Sequence, residues 1–183
     1  MSERAARKKI YGGEVAAQAG DLLSDLEGGG AMVEVKPAKD VKDAKRYHAI
    51  VLGSAIRKGQ LLPEVPDFVR THRTDLQRVP VAFFVVCMTL KDHTDANRRI
   101  VNAYLDPLRA MVNPVDTGLF AGKMDYSTLD LLSKIIIKYF VRTPEGDYRD
   151  WKAIKSWAMA LLPKLGIERK QQGGSGNSAA HGR

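Results

Sequence analysis

The chain has 183 residues, 44% of them hydrophobic and 27% charged, with a formal net charge of +8 and a pI near 9.6. That length and balance suit one globular domain with a core of its own, and the single cysteine, Cys87, excludes an internal disulfide framework and a cysteine-rich zinc site. Positive charge favours anionic partners, but the Lys and Arg residues are scattered, and without a basic stripe interleaved with aromatics a nucleic-acid interface is not expected.

In chain order, Met1–Lys9 reads as an irregular basic lead-in through Gly13, with no apolar run that would mark a secretory signal. Glu14–Leu26 is expected to be a helix, because Val15, Ala19, Leu22, Leu23 and Leu26 recur at helical spacing. Gly28-Gly29-Gly30 ends it. Ala31–Val35 reads as a short strand closed by Pro37, and Asp40–Tyr47 as a polar connection. Ala49-Ile50-Val51-Leu52 is a four-residue apolar run that stops at Gly53-Ser54, the pattern of a strand buried on both faces of a parallel sheet. Gly53–Gly59 is then expected to be the loop leaving that strand.

Leu61–Arg73 follows as a helix with Val65, Phe68 and Val69 toward the core and Pro63 and Pro66 near its start. Val81–Cys87, opened by Pro80, is apolar throughout and reads as a central strand, and Met88–Lys91 as its exit loop. Thr94 is placed to cap a helix running to about Met111, with Ile100, Val101, Tyr104, Leu105 and Leu108 on one face. Val112–Phe120 reads as a strand interrupted by Pro114. Ser127–Val141 reads as a helix apolar around most of its circumference, too short to cross a bilayer and suited to a membrane surface, a core or a dimer face. Asp150 is placed to cap a last helix, Trp151–Leu162, with Trp151 as a core anchor. The residues from Gln171 to Arg183 are Gly/Ser/Asn-rich and are expected to lack structure. Alternating strands and helices predict an α/β domain over 14–165 with a parallel sheet and right-handed crossovers.

The chemistry concentrates at two strand exits. Gly53, Ser54 and Ala55 offer backbone and hydroxyl donors, Ile56 an apolar wall, and Arg57 and Lys58 positive charge before Gly59. A flavin ring uses that mixture: an apolar face, backbone polar contacts, and a cation near the reduced ring. The plain alternative is an ordinary strand-to-helix turn. Thr89, Leu90 and Lys91 leave the neighbouring strand and would face the same crevice. Cys87 has no nearby helper and reads as a buried structural thiol. His48, His72, His93 and His181 lie far apart, which gives no metal-ligand spacing.

Gly53-Ser54-Ala55-Ile56-Arg57-Lys58-Gly59, with Phe68–His72, Gly118–Gly122, Met124-Asp125-Tyr126 and Asp147–Trp151, resembles the flavodoxin-like, menaquinone-dependent protoporphyrinogen oxidase family. The resemblance covers roughly residues 14 to 162. It implies a flavodoxin-like three-layer sandwich with parallel strand order 2-1-3-4-5, a bound FMN, and a helical insertion at 122–142 associated with a membrane. It also implies electron transfer from a porphyrinogen to a quinone or respiratory-chain acceptor, in a cytoplasmic protein peripheral to the inner face of the cell membrane; a homodimer through Ser127–Val141 is a separate option read from that apolar stretch. By position, Ser54–Gly59 and Thr89–Lys91 would meet the flavin ring, and Gly118 and Gly122 would lie near the crevice. Gly12 and Gly13 stand where the phosphate loop belongs.

This sequence departs from the family pattern there. Only Ile10-Tyr11 is apolar before Gly12, and no Ser/Thr cluster precedes Glu14. A shifted start, a deleted segment and Arg7–Tyr11 standing in as the first strand all remain open. That departure motivates a competing expectation, a flavodoxin-like binding or scaffold protein that carries no cofactor.

Overall fold

A computed structural model describes the backbone of residues 7–11, and residues 32–124 and 146–167. Along the chain come β1 (Arg7–Tyr11), β2 (Met32–Val35), β3 (Ala49–Arg57), β4 (Gln60–Leu61), helices α1 (Glu64–Thr71) and α2 (Arg73–Leu76), and β5 (Val81–Val86). Then follow α3 (Asp95–Ala103), α4 (Asp106–Arg109), β6 (Asp116–Phe120), β7 (Lys123–Met124), β8 (Gly146–Asp147) and α5 (Trp151–Lys164). Five strands form a parallel sheet in the order β2-β1-β3-β5-β6, and β4 joins β3 antiparallel. Counting only the parallel strands, this is the order 2-1-3-4-5 that the family resemblance implied.

The alternation of side chains along β3 and β5 builds the two outer layers. Ile50, Leu52, Val81, Phe83 and Val85 point to one face, where they pack with Val65, Phe68 and Val69 of α1, Val101 of α3 and Leu108 of α4. Ala49, Val51, Ala82 and Phe84 point to the other face and meet Ile154, Ala158, Leu161 and Leu162 of α5. Each of the Val, Leu, Ile and Phe side chains, taken fully out of water, contributes about 1.5–3 kcal/mol, which is why these strands read as unbroken apolar runs. Cys87 is buried among the first group, as expected of a structural thiol.

The lead-in is not irregular: it contains the central strand. Arg7–Tyr11 pairs with β2 from Arg7↔Met32 to Ile10↔Val35, and with β3 from Lys8↔Ala49 to Tyr11↔Leu52. The cause lies in the backbone. β2 and β3 would each leave a row of N–H and C=O groups unsatisfied if nothing lay between them, and that demand overrides a locally basic sequence.

Several element boundaries differ from expectation for identifiable reasons. Gln60 and Leu61 return along β3, so the next helix starts only at Glu64, and it breaks at His72. The Thr94 hydroxyl caps α3 by accepting from the Asn97 N–H at 3.2 Å. The helix gives way near Tyr104, and α4 restarts with Pro107 in its first turn, where proline is tolerated. Ile100 faces solvent, 51% exposed, instead of the core. The Met88–Lys91 exit is a 3₁₀ turn. The expectations for 14–26, 28–30, 127–141 and 171–183 lie outside the described residues.

Candidate functional site

A parallel sheet delivers the carboxyl ends of its strands to one edge. Here those ends are Tyr11, Val35, Arg57, Val86 and Phe120. β3 outruns its neighbours. Its pairing with β1 stops at Tyr11↔Leu52 and its pairing with β5 at Ala55↔Val86. It then turns through Lys58 (φ 49°) and Gly59 (φ 73°) and comes back as β4, with Ile56↔Leu61 and Arg57↔Gln60 paired.

The expected loop Gly53–Gly59 is therefore mostly strand, and the only turn in it is Lys58–Gly59. Two successive left-handed residues are the geometry of the tightest hairpin turns, and glycine takes that conformation without cost. A Lys-Gly pair flanked by Ile56 and Leu61 was the available signal for this hairpin. The helical reading of 61–73 obscured it, and so Gln60 and Leu61 were missed.

The structure sorts the proposed ring contacts into three groups. The side chains of Ser54 and Leu90 are committed elsewhere. The Ser54 hydroxyl accepts from the Leu62 N–H and donates to the Ala55 carbonyl, both at 3.0 Å, and the residue is buried. This bond ties the far end of β4 to β3. Leu90 is 2% exposed and belongs to the core, so it presents no wall to a ligand.

Two glycines serve packing. A Cβ on Gly53 would stand 2.1 Å from the Phe84 ring, and one on Gly118 would stand 2.6 Å from the Phe120 ring and 3.0 Å from Trp157. Gly118 is thus the flat spot on which Phe120 and Trp157 sit, with ring centroids 5.5 Å apart, rather than a crevice contact. Gly122 is buried, and its carbonyl accepts from the Tyr148 N–H at 3.2 Å.

What remains at the edge is Ile56, half-buried, with Arg57, Lys58 and Gly59 exposed at the hairpin tip. Beside them from the next strand stand Thr89, exposed, and Lys91, which pairs with Asp92 at 2.7 Å. Ala55 is half-buried and packs toward the α5 face. Gly12 and Gly13 lie outside the described residues, directly after the end of β1. Among the described residues no group of His, Cys, Asp or Glu could hold a metal ion.

The last strand leads into a small antiparallel stem, with Lys123↔Asp147 and Met124↔Gly146 paired. Asp147 accepts two side-chain hydrogen bonds from Arg149, whose guanidinium also covers the Trp151 ring at 4.5 Å. The Arg149 hydrogen bond holds the Asp147 carboxyl down at about 2. Trp151 is 38% exposed and is not the core anchor; Trp157 takes that place, between Phe84 and Phe120. Asp150 caps α5 by accepting from the Ala153 N–H at 2.9 Å, as expected. On Asp116, burial raises the pKa, but the Lys164 ammonium and the Thr117 N–H outweigh it, so the net shift is downward.

The family model described as "Flavodoxin domain" matches residues 13–150. The chain belongs to the flavodoxin domain family. This flavodoxin domain resembles oxidised flavodoxin 1 from Bacillus cereus with a TM-score of 0.55 at 13% identity, covering 87% of this chain and 97% of that one. A flavodoxin from the domain Archaea gives 0.52 at 17%, covering 88% and 99%.

Among curated proteins it is 27% identical over 141 residues to "Protoporphyrinogen IX dehydrogenase [quinone]" of Leishmania major, covering 68% of this chain and 61% of that protein. It is 23% identical over 158 residues to the protein of the same name from Escherichia coli K12, covering 76% and 83%. The chain thus spans less than two thirds of the length of the Leishmania relative.

The cofactor of a flavodoxin domain is FMN, and the hairpin has the groups for its ring. No described strand pairs with residues 53–55 on the side of β3 where β1 has ended, which leaves peptide groups facing the exit of β1. Ile56 adds apolar surface, and Arg57 and Lys58 add the positive charge that a reduced, anionic ring favours.

Proposed function

We propose that this flavodoxin domain is an FMN-dependent oxidoreductase of the protoporphyrinogen IX dehydrogenase (quinone) type. The observation that carries the reading is the β3–β4 hairpin, which projects from the carboxyl edge of the sheet between the exits of β1 and β5. The shared name of the Leishmania and E. coli relatives supports the substrate class. FMN supplies the ring that takes up and gives back electrons and protons.

The chain's own part is placement. In this reading Ile56–Gly59 backs the ring, and the Lys58 and Gly59 peptide groups meet its polar edge. Arg57 or Lys58 stabilises its reduced form, and Thr89 and Lys91 close the adjacent side. Gly12 and Gly13 would present N–H groups to the phosphate. No side chain among the described residues is assigned as an acid or base, so the flavin would carry the redox chemistry. In each turnover two electrons and two protons leave the porphyrinogen and end on one quinone as its hydroquinone, and three such turnovers complete the porphyrin. A place beside a membrane fits this reading, through the apolar sequence 127–141, since such quinones dissolve in lipid; among the described residues no helix is long and apolar enough to cross a membrane.

The test is an anaerobic assay of the FMN-loaded chain with protoporphyrinogen IX and a naphthoquinone, followed by porphyrin fluorescence. The reading expects porphyrin to form only when FMN and quinone are both present. A chain that passes electrons from dithionite to the quinone yet never from the porphyrinogen would keep the FMN oxidoreductase and remove the substrate assignment.

A further inference from the structure

Beside the hairpin lies a shallow groove of about 450 Å³, bounded by Gly59, Gln60 and Leu61 on one side and by residues of α1, α3 and α4 on the other. That volume falls in the range of small-molecule sites. Its walls have an unusual chemistry. Pro63, Pro66 and Pro107 line it together with Leu61. Proline rings are apolar, and proline has no N–H to donate, so these walls offer apolar surface and no proline backbone donor.

The polar side chains of the lining are Tyr104, the neutral amide Gln60, and the pair Asp67 and Arg70. Tyr104 lines the groove with its hydroxyl 3.6 Å from where a Cβ on Gly59 would stand. That hydroxyl is engaged with no other described residue. Gly59, having no side chain, leaves the space beneath it open. The two charges at the rim, Asp67 and Arg70, pair with each other at 2.7 Å. A phosphate or a carboxylate entering here gains nothing from Arg70 that Asp67 does not oppose, and a cation meets the reverse balance. The groove therefore selects for an uncharged occupant.

We propose that this groove binds a flat, neutral ring bearing a carbonyl oxygen, the quinone class, with the Tyr104 hydroxyl donating to that oxygen. The purpose of the site rests on the FMN oxidoreductase reading above, while binding itself does not. Paired strands lie roughly 5 Å apart, so an occupant of the groove and a ring at the hairpin tip share the hairpin as a common wall. This places the electron acceptor and the cofactor on neighbouring surfaces of one element. It leaves the anionic porphyrinogen carboxylates to a different surface.

The experiment is a titration of the full chain with menadione, a neutral naphthoquinone, followed by amide chemical shifts. FMN affinity is measured separately on the same samples. Wild type is expected to saturate, with shifts at 59–61 and 103–106. Ala103→Trp fills the groove from an exposed position and should weaken menadione binding by about tenfold or more, the loss of a ring-sized apolar contact. Tyr104→Phe should weaken it by about three- to tenfold, one net hydrogen bond, and Lys152→Ala on α5 should leave it unchanged. FMN affinity should stay the same in all of them.

Equal menadione affinity in wild type, Ala103→Trp and Tyr104→Phe overturns the site, as does a failure of menadione to bind wild type. A chain that binds menadione with the expected variant pattern but takes up no FMN keeps the groove and overturns the FMN reading instead.

Discussion

Gly118 shows how a residue's chemistry and its place can diverge. A glycine near a strand exit is an obvious candidate for a ligand contact, yet here a methyl group would run into the Phe120 and Trp157 rings. Gly118→Ala should therefore destabilise the fold by about 1–3 kcal/mol while leaving FMN affinity unchanged in the molecules that remain folded. Urea midpoints and a flavin titration separate the two effects. Ser54 and Leu90 teach the same lesson. Residue type suggested a donor and a wall, but only the burial pattern shows that each is already spoken for.

Titration belongs to this scale as well. Asp147 has its folded pKa held near 2, below the ordinary 3.8. Its contribution to stability is thus fully present above 3.8 and is lost as the pH falls toward about 2. Asp147→Asn should flatten the fall in stability across that window, read from urea midpoints measured along an acid series, and should change little at neutral pH relative to its own plateau. Because this carboxylate is largely exposed, the effect will be small.

At the scale of elements, the signals that survived were those with a local mechanism. Thr94 and Asp150 each accept from the N–H three residues on, as helix caps must. Asp150→Ala should cost about 1 kcal/mol, visible as a lower thermal midpoint. The hairpin was harder to see. Nothing in Gly53–Arg57 distinguishes a loop from a strand that outruns its neighbours, because that depends on where β1 and β5 stop.

The left-handed backbone at Lys58 gives a direct check on the hairpin. Lys58→Asn should be tolerated, since asparagine accepts that conformation, whereas Lys58→Val should cost about 1–2 kcal/mol. Equal stability of the two variants would mean that the turn is not formed. Ile100 has a different origin: Val101, Leu105 and Leu108 form the buried stripe, and Ile100, one position before Val101, lies at its solvent edge.

For the whole molecule, the layered fold was legible because β3 and β5 are apolar on both faces, and only a parallel sheet covered by helices on both sides buries them. The central strand was legible only as one of three open readings of the N-terminal departure. Arg7–Tyr11 carries three basic residues, and its place between β2 and β3 follows from their unpaired edges rather than from its own pattern. The candidate site was half legible. The stretch proposed to meet the ring, Ile56–Gly59, is legible as a chemical pattern but not as a hairpin, and the lining of the groove by Tyr104 is not legible because helical spacing puts that residue beside the core stripe.

The central claim is that FMN binds this chain with its ring on the β3–β4 hairpin. An amide chemical-shift titration of the full chain with FMN tests both halves at once. The account predicts saturation at one FMN per chain, with the largest shifts at 56–59 and 89–91. Excess FMN that moves no resonance, or moves only resonances away from the carboxyl edge of the sheet, would contradict it.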